Sequence, residues 1–282
     1  MRLNTLIAVV GGLIFAPAAF AGCCGGASPV PHWLDRSERL LVGADLRGRV
    51  EVSRWDAAGR VRAASGASDT LTPRFAIAWR PSRALQLSAS LPAVVRHVRT
   101  SEASAWGAAL GDLELNVAAD PFTPPGNHLP FLSVRARLPT GRTAVEATAP
   151  MAADTSGEPG STLRAGGGVQ GGDDVMIRVE AEGGARLAPG RTGAVLGLGV
   201  AIGAPVGHAR CSATLRADVL WPQVGTPVVT AATRAGFLAI LPVRRGRGWI
   251  SADVDLPIPG WGIEAPIGVG FGGGIAFVGV RR

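Results

Sequence analysis

The chain runs to 282 residues with 47% hydrophobic side chains and a net charge of +7 carried wholly by arginine; lysine and tyrosine are absent. That length allows one large domain or two small ones, and no linker-like stretch divides the chain after its N-terminal part, so one domain is expected. The arginines are spread one or two to a strand rather than clustered with stacking aromatics, which argues against a nucleic-acid surface, and no apolar run beyond the N-terminus is long enough for a spanning helix.

Residues 1–21 combine Arg2, an apolar run from Leu6 to Phe15 and small residues leading to Ala19-Phe20-Ala21. This reads as an export signal cleaved before Gly22, placing the mature chain outside the cytoplasm. Phe20-Ala21-Gly22-Cys23 also resembles a bacterial lipobox, which makes Cys23 the candidate lipidation site. Residues 22–38 are expected to form a flexible N-terminal segment. Cys24 and Cys211 are the other cysteines. An oxidising compartment permits one bridge among the three, but no framework of bridges is indicated. No Cys or His lies at metal-ligand spacing.

From Leu40 to Val52 the sequence alternates: Leu40, Val42, Ala44, Leu46, Val50 and Val52 on one parity, Asp45, Arg47, Arg49 and Glu51 on the other. A strand sends successive side chains to opposite faces, so this run has an apolar face and a charged one. The pattern returns along residues 39–282. Phe75, Ile77 and Trp79 alternate with Arg74 and Arg80. After Pro81-Ser82-Arg83, Leu85 to Leu91 alternate with Gln86, Ser88 and Ser90 up to Pro92. Leu113 to Val117 connect through Pro121–Asn127 to Leu132–Leu138 and Pro139. A third unit joins Val175–Ala181 through Ala188-Pro189-Gly190-Arg191 to Leu196–Ile202 and Pro205. A fourth joins 228–241 through Arg244–Gly248 to Ile250–Leu256 and Pro257.

Proline donates no ladder hydrogen bond, so its recurrence after every second strand marks where pairing stops and a longer loop begins. Short connections at one end and long loops at the other are the habit of outer-membrane barrels. The longest loop is expected from Thr140 to Asp173, and the Gly166–Gly172 run inside it reads as loop rather than a phosphate cradle, since it lacks the lysine and the strand-to-helix context. With a last strand at 267–280, the fold class expected is all-β, a transmembrane antiparallel up-and-down barrel of about ten strands, with eight to twelve allowed. Cys211–Leu220 and Arg60–Ala64 are candidates for further strands.

Gly268, Gly270, Gly272 and Gly274 share one face of the last strand, and Gly197, Gly199 and Gly203 do the same behind Leu196–Ile202. Glycine on one face leaves room for something bulky opposite, and in a narrow barrel arginine is the expected occupant. Without tyrosine, an aromatic girdle would draw on Trp55, Trp79, Trp249 and Phe277.

Gly111-Asp112-Leu113-Glu114-Leu115, then Leu129-Pro130-Phe131-Leu132, then Arg137-Leu138-Pro139-Thr140-Gly141-Arg142 resemble the outer-membrane proteins grouped with the meta-pathway of phenol degradation. The resemblance implies a transport barrel passing small solutes, hydrophobic or aromatic ones included, and supplies no catalytic residues.

Parity puts Asp45, Arg47, Arg49, Glu51, Arg74, Arg80, Glu114, Arg135, Arg137, Arg178, Glu180, Glu182, Arg186, Asp253 and Asp255 on the lumen side. A charge facing lipid at mid-depth costs roughly 2–4 kcal/mol, so the lumen is the only economical place for so many. These side chains either line a polar conduit or pair and pack as a filled interior. His32, His97, His128 and His208 fall in no hydrolase motif, and Ser90 with His97 has no diagnostic spacing, so no enzyme is expected. The function expected is a passive outer-membrane channel or transporter; the alternatives are a closed, side-chain-filled barrel with a structural or surface role and a soluble periplasmic β-sandwich. Outer-membrane lipid, a small solute and the barrel-assembly machinery are the expected partners. No cofactor, metal or nucleic acid is expected.

Overall fold

The computed structural model describes Leu34 and residues 38–280, apart from 56–59, 63–66, 121–127, 158–159, 172–174, 189–190, 223–229, 244–245 and 258–264. The signal sequence, Cys23, Cys24 and His32 lie outside the described residues. The strands are β1 (Glu38–Trp55), β2 (Val61–Arg62), β3 (Ala67–Trp79), β4 (Leu85–Arg99), β5 (Ser104–Leu110), β6 (Leu113–Ala119), β7 (His128–Leu138), β8 (Ser161–Gly171), β9 (Met176–Ala188), β10 (Arg191–Val206), β11 (Ala209–Pro222), β12 (Thr230–Val243), β13 (Gly246–Pro257) and β14 (Ala265–Val280).

Each strand pairs antiparallel with its neighbours, and β14 pairs with β1, from Glu38 opposite Val280 to Trp55 opposite Ala265. Closure leaves the sheet no long free edge, and a single closed sheet excludes the β-sandwich alternative. The two-residue β2 is a lip on the end of β1. β5 and β6 follow one another along β4 and make one stave, which gives a twelve-stave wall. We call the end holding Glu38 and the β3–β4 turn the lower end, and the opposite one the upper end.

The stave count stands at the top of the expected range because two segments are strands. Ser161–Gly171, expected to be loop, is β8. Its outer face carries Leu163 and Val169, but Gly166–Gly168 dilute the alternation below notice. Cys211–Leu220 belongs to β11. The third strand–connection–strand unit is inverted: β9 and β10 meet at the upper end, and β10 turns into β11 at the lower end through Gly207, at φ 59°. Left-handed backbone of this kind suits glycine in a two-residue hairpin. Pro92 does not end its strand. β4 runs on to Arg99, and Pro92 sits where its partner changes from β6 to β5, its carbonyl accepting the Gly111 N–H at 2.7 Å.

Along its length the outer wall is dominated by apolar side chains: Phe75 (68% exposed), Phe271 (61%), Ile250, Leu198, Val200 and Ile202 all face outward. A soluble protein rarely shows a contiguous apolar surface of this extent, whereas a bilayer hides it. Trp79 and Phe277 lie on this surface near the lower end. Trp249 does not: it is 3% exposed and packs inside, because its odd parity on β13 is that of Asp253 and Asp255. Trp55 ends β1, with its side chain outside the described residues. Cys211, a free thiol, belongs to the outward parity of β11.

Candidate functional site

The inner face of the barrel holds two charge networks. In the first, Arg47, Arg49, Arg74 and Arg234 meet Asp45, Asp253 and Asp255: Arg74 reaches Asp45 at 3.0 Å, Arg47 reaches Asp253 at 2.5 Å, Arg49 pairs with Asp255, and Arg234 holds Asp255 at 2.5 Å. In the second, Arg135, Arg164, Arg178 and Arg216 meet Glu180, Glu182 and Asp218. Arg178 reaches Glu180 at 2.8 Å, Arg164 reaches Glu182 at 2.9 Å and Asp218 at 2.7 Å, Arg216 pairs with all three acids, and Arg135 stands 3.8 and 3.7 Å from Glu180 and Glu182. In each network four guanidinium groups meet three carboxylates.

The glycines explain how Arg47 and Arg49 reach Asp253 and Asp255, and Arg216 reaches Glu180 and Glu182, across a stave that lies between them. β14 lies between the acids of β13 and the arginines of β1, and β10 between the acids of β9 and Arg216 of β11. A Cβ on Gly268 would stand 2.8 Å from Arg49 Nε, one on Gly270 2.8 Å from the Asp253 carboxylate, and one on Gly197 2.8 Å from Arg216. The bare staves are floors across which the ion pairs close, and arginine is the occupant, as the glycine pattern implied.

The lower end is filled. Leu34 is 2% exposed and packs with Leu41, Ala78, Leu238, Ile240, Trp249 and Ala276. Its N–H donates to Gln86 Oε1 at 2.8 Å, and its carbonyl accepts from Arg80 Nη2 at 2.8 Å. Burial and these two hydrogen bonds hold the chain at Leu34; the rest of the 22–37 segment lies outside the described residues. Arg80, itself paired with Asp120 at 3.1 Å, therefore serves this plug rather than an open lumen. Beside it Arg178, 1% exposed, lies 4.1 Å from the centroid of the buried Phe131 ring, a cation–π contact in a dry setting.

At the upper end the two halves of the motif that carried the family resemblance meet in space. Thr140 Oγ1 donates to the Gly111 carbonyl at 2.9 Å and accepts the Leu113 N–H at 2.8 Å, so it mends the ladder where β5 gives way to β6. Gly141 N–H donates to Asp112 at 3.0 Å. A Cβ on Gly157 would come within 2.5 Å of the same carboxylate, so the neck of the loop closes only on glycine. From this neck residues 140–157 fold back, and Ala153 and Asp154 press on Gly107, on the inner face of β5.

Asp154 organises that loop. Burial works against its ionised form, yet the N–H of Thr148 (3.1 Å) and of Ala149 (3.0 Å), the Thr148 hydroxyl and the Arg142 guanidinium all donate to it, and together they hold its carboxyl well below the usual carboxylate range. A depressed folded-state value means that this contribution is complete above the ordinary midpoint of 3.8 and disappears only in much stronger acid. The loop of the unaltered chain is therefore expected to resist pepsin at pH 3.8 as it does at the upper limit of that protease, while Asp154→Asn is cut at both; mass spectrometry of the fragments reads the result.

Between β1, β3, β4 and β6 the lumen keeps a cavity of about 270 Å³, lined by Asp45, Arg47, Arg49, Thr70, Thr72, Arg74, Pro92 and Glu114. Glu114 hydrogen-bonds Ser90 at 3.3 Å. Arg137 stands higher, 3.8 Å from Asp112 and 3.3 Å from Thr162. Glu51 and Arg186 take inner-face positions opposite Gly268 and Gly193. Ser90 and His97 lie on opposite faces of β4, His97 stacking outside on Trp106 with ring centroids 4.2 Å apart, so they form no catalytic pair.

Sequence reasoning missed Arg164, Arg216, Asp218, Arg234 and Phe131. The first sits in the strand read as loop. Arg216 and Asp218 alternate with Leu215 and Val219 and were legible had β11 been taken as a strand. Phe131 shares the parity of Arg135 and Arg137, already placed inside, whereas the 228–241 segment had been given no inner face on which Arg234 could be read.

No protein-family model and no curated protein matches the chain. Among solved structures it is similar to an outer-membrane channel from Pseudomonas putida F1, at a TM-score of 0.67 and 11% identity over 92% of this chain and 100% of that one. It is also similar to the translocator domain of the autotransporter NalP from Neisseria meningitidis (TM-score 0.52, 14% identity, 97% and 93% covered) and to the β domain of the Bordetella autotransporter BrkA (0.50, 10%, 86% and 100%). At such identities the likeness is one of architecture, the closed antiparallel barrel with which outer-membrane proteins cross their bilayer.

Proposed function

We propose that this chain is an outer-membrane channel through which small solutes, hydrophobic and aromatic ones included, pass passively. The observation that carries the reading is the separation of chemistry across one closed wall: apolar residues cover the outside, charges the inside, and a cavity remains among those charges. In this reading the lower end, with its short turns and with the start of β1 and the end of β14, faces the periplasm, and the upper end, with the 140–157 loop, faces the cell exterior. Export through residues 1–21, and lipid attachment at Cys23 where that segment is read as a lipobox, belong to the same proposal. The likeness in fold to the outer-membrane channel from P. putida supports the same reading.

The plug at Leu34 favours a second reading, a closed barrel that serves through its surface. Planar bilayers decide between them. Discrete conductance steps, with anions passing more readily than cations because each network has one arginine in excess, are the expected result. Absence of steps above lipid background, for the unaltered chain and for a variant with the plug weakened, would leave the closed barrel.

A further inference from the structure

Arg96 stands apart from every other guanidinium described on the inner face. Its Nε is buried without a hydrogen-bond partner, and among the described residues no carboxylate forms an ion pair with it. It lies opposite Thr70 on β3 and Gly107 on β5. Parity gives it apolar company: Pro92, Val94 and Val98 on its own strand, Ala105 and Ala109 across the β5 pairing. Thr70, opposite it, and Pro92, on its own strand, line the cavity together with Thr72 and with Arg47, whose Nε is likewise buried without a hydrogen-bond partner.

Arg96 is half-buried, and an Nε shut away from water without an acceptor is unfavourable unless something else supplies one. Among the described residues no carboxylate pairs with it. The guanidinium can only donate and the threonine hydroxyls are able to, so the missing group is an acceptor. Its charge is bounded too: Asp45 and Glu114 stand in the same wall and oppose a doubly charged phosphate, whereas one carboxylate neutralises one arginine. Pro92 in the cavity wall, with Val94 next to it on the same face of β4, fits a hydrocarbon body attached to that carboxylate.

We propose that this corner of the lumen binds a small monocarboxylate with an apolar body, the carboxylate accepting from Arg96 and from the Thr70 and Thr72 hydroxyls, the hydrocarbon resting against Pro92 and Val94. The inference deepens the channel reading by naming the solute class, and it rests on that reading for its transport role.

The test is calorimetric titration of the full chain, folded in detergent, with benzoate as the probe and benzyl alcohol and benzylamine as neutral and cationic isosteres. Saturable binding of benzoate alone is expected. Arg96→Gln should weaken it about tenfold or more, the loss of one charge-assisted contact, and Arg96→Lys should fall between, because the charge stays while the fork geometry goes. Arg96 belongs to neither network, so the variant should keep its thermal midpoint; if it does not, Thr70→Val with Thr72→Val gives the same comparison without touching a charge. Equal binding of benzoate and benzyl alcohol, or unchanged affinity in both variants, overturns the proposal. Failure of the two readings is separable: benzoate binding without bilayer conductance removes the channel and leaves the site, while conductance without saturable binding removes the site alone.

Discussion

Leu34→Ala is expected to convert a lumen that is mostly closed at its lower end into one that is mostly open, read in planar bilayers as a higher open probability. Leu34 is 2% exposed among the aliphatic and aromatic side chains of Leu41, Leu238, Ile240 and Trp249. Truncating a buried leucine to alanine costs about 2–5 kcal/mol, which at about 1.4 kcal/mol per tenfold shifts the seated-to-released equilibrium by a factor of ~30 to several thousand. The two backbone hydrogen bonds, to Gln86 and from Arg80, contribute about 0.5–1.5 kcal/mol each and do not compensate. Leu40→Ala is the control: Leu40 is 40% exposed on the outer wall, and its truncation leaves the plug untouched. Gln86→Leu, which removes the side chain that accepts the Leu34 N–H, should act in the same direction and less strongly. Conductance unchanged in both plug variants would mean that solute takes no path past the lower end.

How much of this was readable beforehand follows from how strongly each residue announces its face. β1 announced itself because Leu, Val and Ala at even positions oppose Asp, Arg and Glu at odd ones, and its pairing with β14, Leu46 opposite Gly273 and Gly48 opposite Phe271, is the closure such a pattern needs. β8 stayed hidden because glycine at 166–168 carries no face at all, and Arg164 was lost with it. Leu34 gave no signal: a single leucine has no period, and its burial depends on Leu41, Leu238 and Trp249, each from a different stave. Trp249 was assigned outward by residue type, although its parity with Asp253 and Asp255 already placed it inward. Type was the weaker guide. The motif that prompted the family resemblance was legible as a pattern but not as geometry, since nothing in the sequence says that Thr140 and Gly141 return to Gly111 and Asp112.

Glu182→Gln should lower the stability of the barrel to chemical denaturation by about 3–5 kcal/mol, the cost of breaking a buried ion pair from one side. Glu182 is 6% exposed and accepts from Arg164 and Arg216, with Arg135 3.7 Å away. Neutralising it leaves four guanidinium groups around two carboxylates, and their mutual repulsion is expressed in a low-dielectric lumen. The same change should raise the permeability of anions relative to cations, since the fixed positive surplus of this network doubles. Asp69→Asn provides the scale: its partner Arg99 is 48% exposed, so solvent already screens the pair and about 0–1 kcal/mol is expected. Glu182→Gln combined with Arg164→Gln should recover part of the loss, because the charge excess returns to one. A denaturation midpoint for Glu182→Gln no lower than that for Asp69→Asn would mean that water bathes the network as it does a wide pore, and the interior pairs would then be fittings of the lumen wall and not part of what holds the staves together.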